Sequence, residues 1–184
     1  MASFFGHSVA GLAIGKSSFA KQQPWTFWML TVYCSVLPDG DVLSFYFGIP
    51  YGGMFGHRGF FHSIIFTCIV GWVVALLFYR QVPKFSASWW RIAGYFSLVT
   101  FSHPFLDAFT NGGLGVAFFS PFDTTRYFFP WRPLEVSPIG GLSHFFGKEG
   151  LVVMKSEFVW IWIPSIVMVF LSYVLRRVRT KAQP

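Results

Sequence analysis

The run from Phe158 to Leu175 holds 18 residues without a charged side chain, and Arg176, Arg177, Arg179 and Lys181 follow it. Eighteen helical residues reach roughly 27 Å, close to the ~30 Å hydrocarbon core of a bilayer. Such a segment is expected to cross a membrane, and it constrains everything else. Backbone placed in lipid must satisfy its own hydrogen bonds, so helices are the expected elements. Composition agrees, with 54% hydrophobic, 22% aromatic and 11% charged residues, against about 25% charged in soluble domains. The expectation is an all-α integral membrane protein, a single domain over residues 1–184. About five helices form a bundle, with an extra-membrane loop region between the last two.

Apolar runs and breakers mark the other helices. Residues 3–20 repeat His7, Ala10, Gly11 and Ile14 at helical spacing, which predicts a short helix with a close-packing face. Trp25 to Leu37 reads as a second helix, ended by Pro38. Residues 42–56, with Gly48, Pro50, Gly52, Gly53 and Gly56, read as a loop. A third helix is expected from about His57 to Tyr79 and a fourth from near Ser88 to about Thr110. Residues 111–156 read as loops with a short strand pair. Cys34 and Cys68 lie in apolar runs without metal or disulfide spacing and read as small buried side chains. The N-terminus lacks a signal-peptide pattern.

If the helices alternate in direction, one end collects Lys16, Lys21, Arg80, Lys84, Arg91 and the four C-terminal cations, with no acid. The other end carries all seven acidic residues. The basic end marks the cytoplasm, which puts the C-terminus inside and explains the net charge of +7. Because the cations form no dense patch, nucleic acid is not an expected partner and membrane lipids are. The localisation expected is the cytoplasmic membrane, multi-pass.

The same alternation sends His7, Asp39, Asp41, His57, His62, His103, Asp107 and Glu157 to the outer face. Ionisable side chains beside hydrocarbon are costly, so their convergence points to a functional site. His103 and Asp107 are four apart and share one helical face. Gly40 permits a tight turn that turns Asp39 and Asp41 inward together. His57 and His62 would lie about 140° apart on one helix, so they need a break or two different ions. Imidazole with carboxylate suits zinc or manganese. A carboxylate shared by two ions would give a hydrolytic site acting at phosphorus. His144 reads as a loop surface residue.

The motifs PDGD at Pro38–Asp41, HRGFFHS at His57–Ser63, HPFLD at His103–Asp107 followed by TNGG, and Pro121-Phe122 resemble the YdjM-type (DUF457) membrane-bound metal-dependent hydrolases. SEFVWIWIP at Ser156–Pro164 is a further match. Pro104 departs from the family pattern. That family is more distantly similar to zinc-dependent phospholipase C and P1-type nucleases. The resemblance implies one to three divalent ions, zinc or manganese, held by His7, Asp39, Asp41, His57, His62, His103 and Asp107. Within that set either Asp39 or Asp41 bridges two ions, and either His57 or His62 is the next imidazole.

The expected function is hydrolysis of a phosphoester in a lipid or lipid-linked substrate at the outer leaflet. Asp39, Arg58 and Glu157 are the candidate catalytic residues, with Arg58 suited to hold phosphate by its bidentate fork. The alternatives are a metal or proton transporter using these residues as a relay, or a non-catalytic metal-stabilised membrane protein.

Overall fold

The computed structural model describes residues 1–19, 21–137 and 147–181. The chain runs through α1 (Phe4–Ser18), α2 (Trp25–Val36), a 3-10 segment (Leu37–Phe47), a short 3-10 turn (Phe60–His62), α3 (Ile64–Phe78) and α4 (Ala87–Asp107). It closes with α5 (Lys148–Glu157), which passes through a π-helical turn (Phe158–Trp162) into α6 (Ile163–Lys181). His144 lies outside the described residues.

α4 is the central post, packed against α1, α2 and α3. Phe27, Cys34, Val70, Val74, Tyr95, Phe96 and Val99 form the core between α2, α3 and α4. At Gly71 of α3 a Cβ would stand 2.3 Å from the Ala93 carbonyl oxygen and 2.1 Å from Ser97 Oγ on α4. Only a residue without a side chain permits this backbone approach. α1 buries Gly6, His7, Gly11, Ala13 and Gly15, the close-packing face its small residues predict.

Several sequence boundaries shift, each for a local reason. Pro38 does not stop the chain's helical path. It sits at the start of the 3-10 segment, where a missing N–H costs little. α3 does not begin at His57. It begins at Ile64, where the Ser63 side chain accepts from Phe66 N at 3.1 Å as N-cap. The predicted strand pair reduces to isolated bridges, Thr110 with Leu134 and Val116 with Tyr127. Pro104 lies inside a continuous α4.

The final helix is longer than expected, running from Lys148 into α6 with 33 residues up to Thr180, about 50 Å. Among the described residues it is the one helix with the length and hydropathy of a membrane span, and Ile64–Phe78 is a shorter apolar helix. Five full crossings are therefore not what the helix lengths show. α3 exposes Ile69, Trp72, Leu76 and Leu77, and α6 exposes Ile166, Phe170, Leu171 and Leu175. Apolar surface this continuous marks contact with membrane or partner.

Candidate metal centre

Three pieces of chain deliver the site. The last turn of α4 brings His103 and Asp107, both fully buried. The 3-10 segment brings the aspartates. With three residues per turn, Pro38, Asp41 and Ser44 share its buried face, while Asp39 keeps its side chain 16% exposed. Asp39 and Asp41 thus serve different sides, not one inward-facing turn. The short turn Phe60–His62 brings His62. The break that the spacing of His57 and His62 demands is present, because neither lies on α3.

Four atoms converge. His103 Nε2 is 3.2 Å from Asp39 Oδ1 and 4.0 Å from Asp107 Oδ2. His62 Nε2 is 3.9 Å from Asp39 Oδ1 and 3.6 Å from Asp107 Oδ2. All four lie within 4.8 Å of one another. Ligand atoms about 2.0–2.2 Å from a tetrahedral ion stand about 3.3–3.6 Å apart, so one ion fits the set. Each of the four is buried without a hydrogen-bond partner. Buried polar atoms are normally satisfied, and four orphans facing one point fit a cation.

The imidazoles are held so that Nε2 points inward. His103 Nδ1 lies 2.8 Å from the Ser35 carbonyl oxygen, a partner that makes Nδ1 the protonated nitrogen. His62 Nδ1 lies 2.9 Å from Asp41 Oδ2. The other Asp41 oxygen is 2.6 Å from His57 Nδ1. These are hydrogen-bond distances, so Asp41 orients two histidines and stands behind the four donors. Carboxylate–histidine pairs of this kind fix the tautomer of a metal-binding imidazole. His57 is one step further out, its ring edge-on to Tyr51 at 5.3 Å. His7 faces the opposite oxygen of Asp107, with Nε2 3.4 Å from Oδ1, and stacks on His103 at 3.6 Å. It is a fifth donor beside the set.

Electrostatics at the turn favour a proton on His62. Burial pushes its pKa down, but hydrogen bonds to Asp107 and Asp41 outweigh this and hold it up to about 9. Burial pushes Asp41 up, and hydrogen bonds from His57 and His62 bring it well below the usual carboxylate range.

Arg58 and Glu157 sit differently from what a catalytic role requires. Arg58 is fully buried, with a left-handed φ of 62°. Its Nε pairs with Asp107 Oδ2 at 3.1 Å, and its NH1 donates to the carbonyls of Gly112 and Leu114. Its NH2 donates to Thr110 Oγ1 at 2.9 Å, and its backbone N–H donates to Asp41 Oδ2 at 3.0 Å. This fork is occupied within the protein and braces both aspartates. Glu157, also fully buried, accepts from Ser3 N and from Ser3 Oγ at 2.7 Å. A Cβ on Gly6 would meet its carboxylate at 2.8 Å. Glu157 therefore ties α5 to the start of α1 and does not join the four donors.

Arg126 is a structural residue that the motifs do not reveal. Its guanidinium donates to the carbonyls of His57 at 2.8 Å, Tyr51 at 2.9 Å and Gly53 at 3.1 Å, and to Gly115 at 3.3 Å. It pins the turn that carries His57 and Arg58. All its partners are backbone oxygens, which leave no sequence signature.

Residues 1–181 match the family described as YdjM inner membrane protein. The chain belongs to that family. It is similar to the inner membrane protein YbcI of Escherichia coli (strain K12), 34% identical over 171 residues, covering 93% of this chain and 96% of the relative. No solved structure matches. The family membership makes this a membrane protein, and its buried histidine–aspartate cluster is a possible metal centre.

Proposed function

We propose that the protein is a membrane-bound, metal-dependent hydrolase of phosphoesters in lipid or lipid-linked substrates. The observation that carries this reading is the set of four orphaned donors, His62 Nε2, His103 Nε2, Asp39 Oδ1 and Asp107 Oδ2, buried and mutually spaced for one ion. Two imidazoles with two carboxylates suit zinc or manganese. A divalent ion bound there would supply Lewis acidity and an acidified water.

The chain's own residues divide the remaining work. Asp41 and the Ser35 carbonyl hold the two imidazoles with Nε2 inward. Arg58 fixes the two aspartates, so it acts as a positioning residue. Asp39 is the donor solvent reaches, which makes its side the entry for water and substrate. A groove of about 800 Å³ runs up to Gly40 and Asp41, walled by Leu37, Leu43, Phe47, Phe55, Phe61 and Phe66. An apolar groove ending at a metal site suits a substrate with a hydrocarbon tail.

The orientation proposed follows the charges, with the cation-only end in the cytoplasm and the site at the outer leaflet. Among the described residues the buried ionisable side chains gather around this one site, which favours a closed reaction centre over a relay through the membrane. The test is a phosphoester assay on purified protein in detergent. Activity should vanish with chelator, return with zinc or manganese, and fall at least about 100-fold in His103→Ala. Activity indifferent to both treatments would refute the assignment.

A further inference from the structure

We infer that the end of the molecule opposite the histidine–aspartate cluster binds an anionic phospholipid. The ends of α1 and α6 and the start of α2 enclose a cleft of about 640 Å³. Lys16, Lys21 and Arg176 line it with Gln22, Gln23 and Trp25, and no carboxylate does. No acidic residue precedes Asp39 or follows Glu157 in the chain, so α1, α2 and α6 bring only positive charge to this end.

The cleft does not end in water on all sides. A second groove, about 530 Å³, runs down α1 and α6 between Leu12, Ala13, Ile166 and Phe170. The two share Lys16, Val169 and Tyr173. A cationic chamber continuous with an apolar furrow matches a molecule with a phosphate at one end and an acyl chain behind it. A free anion would use only the first part and a neutral lipid only the second. Basic pockets between membrane helices recognise anionic headgroups in this way.

The cations have distinct duties. Arg176 donates to the carbonyls of Lys16 and Phe19, at 3.2 and 3.1 Å, and to that of Ser17. It closes the C-terminal end of α1 and shapes the wall. Lys16 and Lys21 are exposed, and the Lys16 ammonium rests 4.6 Å over the Trp28 ring. These two carry the charge a headgroup would meet. The site shares no residue with the metal centre and stands whether or not the protein is a hydrolase.

The experiment is a lipid titration of the full chain in neutral detergent, read by native mass spectrometry. Phosphatidylglycerol, phosphatidylcholine and inorganic phosphate are the probes. Phosphatidylglycerol should bind at least about 10-fold more tightly than phosphatidylcholine. The double variant Lys16→Gln, Lys21→Gln should lose about 30-fold, some fivefold per charge, and Lys16→Arg, Lys21→Arg should keep its affinity. Equal affinity for the two lipids, or an unaffected double glutamine variant, would overturn the inference. Displacement of phosphatidylglycerol by equimolar inorganic phosphate would overturn it too, in favour of a plain phosphate site.

Discussion

Asp41 touches two histidines and sits behind the four converging donors, so its loss should weaken the centre without abolishing it. Asp41→Asn keeps the shape and removes the charge that holds His62 Nδ1–H. Metal affinity should fall about 10–100-fold, the usual effect of removing such a partner, while Asp107→Asn or His103→Ala should reduce bound metal to background. Elemental analysis of the purified variants separates the two outcomes. A proton test follows from His62. With its pKa held up to about 9, it is protonated at neutral pH, and an ion must displace that proton to reach Nε2. Calorimetry at pH 7 in buffers of different ionisation enthalpy should show about one proton released per ion. In the metal-free protein the sign is that of a raised cationic pKa. His62 contributes stability that is complete below about pH 6.5 and is lost as pH rises through about 9. His7, Asp39, Asp41, His57, His62, His103 and Asp107 were all legible in the sequence because imidazoles and carboxylates are rare beside apolar runs. Their division of labour was not, since it depends on which ring nitrogen meets which oxygen.

Among the elements, α3 and α4 form the closest pair, and their contact turns on Gly71. Gly71→Val would drive its side chain into the Ala93 carbonyl and Ser97, and should cost about 1–3 kcal/mol as an overpacked contact. The thermal midpoint of the detergent-solubilised variant checks this. Arg126→Ala removes donors to four carbonyls of the turn, leaving buried acceptors unpaired at about 1–3 kcal/mol. It should lower metal occupancy as well as the midpoint, since His57 and Arg58 ride on that turn. The approximate positions of α1 to α4 were readable from apolar runs and breakers. The 3-10 segment Leu37–Phe47 was not, because its three-residue burial pattern overlaps that of a loop with alternating apolar residues. The start of α3 was misplaced for a related reason. HRGFFHS is apolar enough to read as helix, yet Ser63 caps at the next residue and leaves both histidines free to turn inward.

At the scale of the whole molecule, the four donors tie pieces far apart in the chain: the 3-10 segment at Asp39, the turn at His62, and the end of α4. Without a cation this end gathers buried carboxylates and unpartnered ring nitrogens, and such groups are costly in a low-dielectric interior. An ion that binds the folded state alone stabilises it in proportion to the logarithm of its concentration over Kd, about 2.7 kcal/mol at 100 times Kd. For a chain of this size each kcal/mol moves the midpoint by about 2–4 °C. Chelation should therefore lower the midpoint by about 5–10 °C, and re-addition of zinc or manganese should restore it. The His103→Ala variant should start low and respond to neither treatment. A wild-type midpoint indifferent to chelator, in protein shown by elemental analysis to have carried metal, would mean that the ion does not join these three pieces. The four donors would then have to be explained as a purely protonic network centred on His62.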